Sequence, residues 1–69
     1  MILFDFGRLR EMRKRNLMSQ QEAAERMHCT ASCISRWELG KTPITADDLA
    51  ALIEVYNDEN WQDYFVTTF

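Results

Sequence analysis

Ser19-Gln20-Gln21-Glu22-Ala23-Ala24-Glu25-Arg26-Met27-His28-Cys29-Thr30-Ala31-Ser32-Cys33-Ile34-Ser35-Arg36-Trp37-Glu38-Leu39-Gly40 is the stretch on which the fold turns. It opens as a capping box, in which the Ser19 hydroxyl and the Glu22 carboxylate each satisfy an orphan amide of a helical first turn. A helix with Ala23, Ala24 and Met27 inward therefore starts here, runs about two turns and breaks near His28. Thr30 caps the next helix, read from about Ala31 to Leu39, whose buried stripe carries Ile34 and Trp37. Gly40 ends that helix because glycine accepts the left-handed conformation of a C-terminal cap, and Pro43 bars immediate continuation. Ala24 stands where the two helices approach so closely that little more than a methyl group fits. Ile34, on the later helix, is its apolar partner.

Working outward, Thr45 caps a further helix over about Ala46 to Tyr56, with Leu49, Leu52, Ile53 and Tyr56 spaced for one face. Upstream, a first helix spans about Phe6 to Arg15, with Leu9, Met12 and Arg13 on one side, Asp5 near its positive end, and Asn16-Leu17 closing it. The segment 57–69 is left open: Trp61, Tyr64 and Phe65 suit a last helical turn on the core, yet Tyr64 to Phe69 is equally strand-like. The apolar Met1–Phe4 segment can pair with such a strand, within the chain or across a dimer. Two glycines and one proline are too few for a turn-rich β fold. The expected fold is all-α, a compact four- to five-helix bundle with a short β contribution from the termini left open. It forms a single domain over 1–69, with its core at about 6–56.

Sixty-nine residues bury enough surface for one core and not for two. A hydrophobic fraction of 46% against 28% charged excludes wholesale disorder. No apolar run reaches the roughly 18–20 residues of a membrane-spanning helix, and Asp5 cuts the opening apolar run too short for a signal-peptide core, so no membrane role and a cytoplasmic location are expected. In that setting Cys29 and Cys33 are read as reduced thiols. Zinc asks for four ligands, and His28 with the two cysteines leaves the set incomplete, so no metal and no cofactor are expected. No nucleophile, paired-carboxylate or phosphate-loop pattern accompanies His28, which argues against an enzyme. The net charge is −3, but its distribution matters more than its sum. All eight basic residues precede Pro43, against five acidic ones, whereas six acidic residues and no base follow Ile44. Such a chain can turn a basic face to an acidic polymer.

Two short helices joined by a tight turn, the second with its own cap and a small-residue start, are the arrangement that lets one helix enter a DNA major groove. Leu9-Arg10-Glu11-Met12-Arg13, Ser19-Gln20-Gln21-Glu22-Ala23-Ala24-Glu25 and Ile34-Ser35-Arg36-Trp37-Glu38-Leu39-Gly40-Lys41 resemble consecutive blocks of the phage repressor and Cro family of helix-turn-helix (XRE-type) regulators. The resemblance runs without a gap from about Phe6 to Tyr56. It implies a domain that binds operator DNA as a two-fold dimer, and a largely buried bridge between Arg13 and Glu38. Three positions depart from the family pattern: His28 at a turn often held by glycine, Ala23 where leucine is common, and Leu39 where polar residues are common. Ala23 leaves a thinner core, to be filled by Trp37 or Trp61.

On a helical wheel, Ser32, Ser35, Arg36 and Leu39 fall opposite Ile34 and Trp37. Arg36 is the leading base reader, because a guanidinium can bond O6 and N7 of guanine together. Ala31, Ser32 and Ser35 complete the expected base-facing set, Cys33 is read as a small residue near phosphate, and Thr30, the cap, is counted with them among the expected DNA-binding residues. Gln20 and Gln21, with the first-turn amides they carry, face phosphate, and Lys41 and Thr42 follow as phosphate clamps. Arg13, Ala24, Ile34, Trp37, Glu38 and Gly40 are structural, and the Arg13-Lys14-Arg15 run is otherwise a solvated helix end. The expected function is a sequence-specific transcriptional regulator of the Cro/C repressor type, acting on a pseudo-palindromic duplex operator. The alternative is an antitoxin- or adaptor-like module whose acidic, aromatic tail at 57–69 captures a protein partner.

Overall fold

A computed structural model describes residues 2–67; the expectations that touch Met1, Thr68 and Phe69 lie outside the described residues. Four helices, α1 (Gly7–Arg15), α2 (Gln20–Met27), α3 (Ala31–Leu39) and α4 (Ala46–Tyr56), are followed by a 3-10 turn at Trp61–Tyr64. Strands β1 (Ile2–Phe4) and β2 (Phe65–Thr67) flank them as an antiparallel pair.

The helix starts follow from their caps. Ser19 Oγ accepts the Glu22 amide at 3.0 Å while the Ser19 amide donates to Glu22 Oε1 at 3.3 Å, a complete capping box. Thr30 Oγ1 accepts the Cys33 amide at 3.3 Å, and Thr45 Oγ1 accepts the Asp48 amide at 3.1 Å. Such a cap is worth about 1 kcal/mol. At α1 the residue before the helix is Phe6, which has no capping oxygen, so Asp5 Oδ1 accepts the Gly7 amide instead, at 3.1 Å.

The helix ends use the left-handed backbone region. His28 (φ 57°), Gly40 (φ 73°) and Asn57 (φ 51°) cap α2, α3 and α4, and Leu17 (φ 56°) follows the C-cap of α1. At Gly40 the left-handed backbone favours glycine, and a β-carbon there would lie 2.7 Å from the Phe6 ring, which would have to move aside.

Leu9 and Met12 of α1, Ala23 and Ala24 of α2, Ile34 and Trp37 of α3, and Leu49, Leu52 and Tyr56 of α4 form the core, which Tyr64 completes. Of the two tryptophans expected to fill the core, Trp37 belongs to it, at 6% exposed, and Trp61 does not, at 47% exposed.

Both readings of the tail are realised in sequence, one helical turn and then a strand. The register pairs Ile2 with Thr67, Leu3 with Val66 and Phe4 with Phe65, within the chain. Phe4 stacks on Tyr64 at 5.9 Å between ring centroids and meets Phe65 edge-on at 5.7 Å. Arg8 clasps the tail: its Nε and Nη2 donate to the Asp58 carboxylate at 3.3 and 3.1 Å, Nη1 lies 3.7 Å from Asp63, and its guanidinium sits 5.4 Å from the Tyr64 ring centre. Burial by itself would raise the Asp58 carboxyl; the Arg8 hydrogen bonds and the Asn60 amide outweigh it and hold that carboxyl below its ordinary range. Tyr64 is therefore a core residue, so the tail offers a partner Trp61 and Phe65 but not the full aromatic trio.

Candidate nucleic-acid interface

The α2–α3 unit is held from behind by a charged network. Arg13 Nε donates to Glu38 Oε2 at 2.7 Å and Arg13 Nη2 to Glu38 Oε1 at 3.1 Å, a two-pronged pair that ties α1 to α3. Arg13 Nη1 also donates to the Met18 carbonyl at 2.9 Å, fixing the chain as it leaves α1. The hydrogen bond to Glu38 outweighs the burial that opposes it and raises the Arg13 pKa. A third donor reaches the same carboxylate, Gln20 Nε2 at 3.3 Å from Oε1.

With Ile34, Trp37 and Glu38 buried, α3 has one orientation open to it. Ser32, Arg36 and Leu39 are exposed on its outer side, and Ala31, Cys33 and Ser35 are half-buried along the margins. The wheel drawn from sequence agrees with the structure for Ser32 and Arg36, whereas Ser35, expected on the outer face, is half-buried at its margin. The Thr30 hydroxyl is occupied by the Cys33 amide, so its first role is to start α3.

Gln20 and Gln21 are the first two residues of α2. The capping box uses the Glu22 amide, leaving the Gln20 and Gln21 amides pointing along the helix axis toward any anion placed there. The Gln20 side chain is turned to Glu38, whereas Gln21 is exposed, with Nε2 3.5 Å from Glu25. Lys41 and Thr42 are both exposed beyond α3, and the Lys41 amide closes the helix on the Arg36 carbonyl at 3.0 Å. Thr42 also lines an apolar groove with Phe6 and Pro43.

Sequence reasoning did not single out Arg10. It is exposed on α1 and lines a hollow of about 290 Å3 with Gln20, Ser35 and Leu39, floored by Arg13 and Glu38. The available signal was its spacing, one helical turn before Arg13. Burial first, and then the neighbouring Cys33, push the Cys29 thiol up, which keeps it a poor nucleophile. Among the described residues no group of three or more His, Cys, Asp and Glu side chains is placed to hold a metal ion, and no helix is long and apolar enough to cross a membrane.

Two short helices joined through a left-handed turn, the second turning hydroxyls and a guanidinium outward, define a helix-turn-helix domain. A family model described as a helix-turn-helix domain matches residues 7–57, from the first residue of α1 to the C-cap of α4. The chain belongs to that helix-turn-helix family, within the Cro-like group of DNA-binding regulators. No curated protein and no solved structure matches the chain.

Proposed function

We propose that the protein is a sequence-specific transcriptional regulator of the Cro/C repressor type, a homodimer that binds a pseudo-palindromic operator in a bacterial or phage setting and works in the cytoplasm. The observation that carries this reading is the division of α3, with Ile34, Trp37 and Glu38 locked inward while Ser32 and Arg36 stand exposed. In this reading α3 enters the major groove, Arg36 takes a guanine edge, and Ser32, Ser35 and Ala31 meet neighbouring bases. Gln20, Gln21, Thr30, Cys33, Lys41 and Thr42 line the phosphate path on either side. A dimer sets two such helices about 34 Å apart, one turn of the duplex.

Selection of bound sites from a random duplex pool, followed by titration of the selected site and a scrambled one over a salt series, tests the proposal. A two-fold consensus and a steep loss of affinity with salt are expected. Arg36→Ala should reduce the preference for the selected site by roughly 1–3 kcal/mol. Salt-independent binding would refute the DNA reading, and an unchanged preference in Arg36→Ala would refute the assignment of base readout.

A further inference from the structure

The two cysteines of the chain meet at the turn between α2 and α3. Cys29 directly precedes the Thr30 cap of α3, and Cys33 is the third residue of that helix. Both backbones are fixed. The Cys29 amide donates to the Ala24 carbonyl at 2.9 Å, closing α2, and the Cys33 amide donates to the Thr30 carbonyl and hydroxyl at 3.0 and 3.3 Å. Both side chains are half-buried against the core, and neither is in a disulfide. Cys33 acts on the Cys29 thiol through a side-chain hydrogen bond, so the two sulfurs face each other at contact distance.

The surroundings favour a cation. Among the described residues, the groups whose charge acts on Cys29 are Cys33 and the Asp48 carboxylate in the first turn of α4, neither of them basic. His28, the neighbour in sequence, lines a different hollow with Arg26 and Glu54. The pair is therefore no fragment of a tetrahedral site. The ligand set that is incomplete for zinc is complete for an ion that takes two soft donors in line.

We propose that the Cys29–Cys33 pair is a binding site for a soft monovalent cation of the copper(I) type, held in line between the two sulfurs at the turn of the helix-turn-helix. Thiolate sulfur selects copper(I) over the harder ions. Two thiols and one copper(I) ion give one bis-thiolate complex with a single negative charge, and two protons pass to water; no oxidation state changes. The ion itself supplies the charge that draws the protons off.

Geometry separates this site from a redox bridge. A metal–sulfur bond is about 2.3 Å, so an ion in line holds its sulfurs about 4–5 Å apart, close to where two thiols in contact already stand. A disulfide draws them to about 2.0 Å. It also starts from a free thiolate, which burial and the nearby Asp48 oppose at Cys29. The bound ion ties the residue before the cap to the first turn of α3, stiffening the turn that sets the angle of that helix. The inference goes beyond the DNA reading, and its test contains no DNA.

The reduced full chain, titrated anaerobically with copper(I) against a coloured copper(I) chelator and weighed by native mass spectrometry, tests it. One ion per chain is expected, with two protons lost for each ion held. Cys29→Ser and Cys33→Ser should each weaken retention by roughly 100-fold or more, the upper end for losing even a supporting residue of a metal site. Undiminished retention by either variant, one ion shared between two chains, or zinc held as tightly as copper(I) would overturn the site. So would a pair that takes up no ion yet closes to a disulfide with oxidised glutathione. If circular dichroism shows a serine variant unfolded, alkylation of the unmodified chain with iodoacetamide decides: copper(I) protection of both thiols supports the pair, and protection of one or neither overturns it.

Discussion

Arg13 and Glu38 join α1 to α3 through two parallel hydrogen bonds of 2.7 and 3.1 Å, with side chains only 10% and 4% exposed. Breaking the pair from one side strands a desolvated charge. Arg13→Ala or Glu38→Ala should therefore destabilise the domain by about 3–5 kcal/mol, read as a shift in the urea midpoint, whereas the double variant Arg13→Met/Glu38→Leu should regain most of the loss. A small effect from either single change would show that water reaches the pair.

The Arg8–Asp58 clasp gives the stability a pH signature. A carboxyl held below its ordinary range when folded stabilises the native state fully above its unfolded pKa of about 3.9, and that stabilisation drains away as pH falls through the lower folded value. Urea unfolding should therefore show Asp58→Asn less stable than the unmodified chain at about pH 7. The gap should persist to about pH 5, narrow as pH falls past the unfolded value, and close once Asp58 is protonated in the folded chain as well. A gap that grows on acidification would contradict the assignment.

Leu17 sits at φ 56° with its side chain 89% exposed, so the strained backbone is not offset by burial. The left-handed region costs an ordinary residue roughly 1–2 kcal/mol, part of which glycine returns through its freer unfolded chain. Leu17→Gly should raise stability by about 0.5–1 kcal/mol in thermal or urea melts. A loss of stability would mean that the leucine makes a contact in solution.

Under the proposed function, Lys41 and Arg36 differ in kind. Lys41→Ala should weaken binding to selected and scrambled duplexes about equally and lower the slope of log affinity against log salt by about 1. Arg36→Ala should instead erode the preference between them. Identical behaviour of the two variants would refute the division into clamp and reader.

The helical part of this fold is legible because its boundaries are local chemistry. Ser19, Thr30 and Thr45 begin helices with their own hydroxyls, and Gly40 ends one with its own backbone, so four elements can be placed within a residue or so. The outer face of α3 follows from the same period. The tail resisted because nothing local separates Trp61 from Tyr64; one is half-exposed and the other fully buried because of Arg8 and Phe4, roughly fifty or more positions away in the chain. The turn of Gln20 toward Glu38 and the place of Arg10 are likewise products of three helices meeting, which no single segment encodes.

That β1 finds β2 has a kinetic consequence. Positions 2 and 67 must meet across nearly the whole chain, and the entropy of closing so long a loop is recovered only once the intervening helices have shortened it. Helices whose start signals lie beside them form early, so the two strands should zip together last and open first. The native protein then breathes at its sheet while the α2–α3 pair stays assembled, and amide exchange should run faster at Leu3 and Val66 than at Ile34.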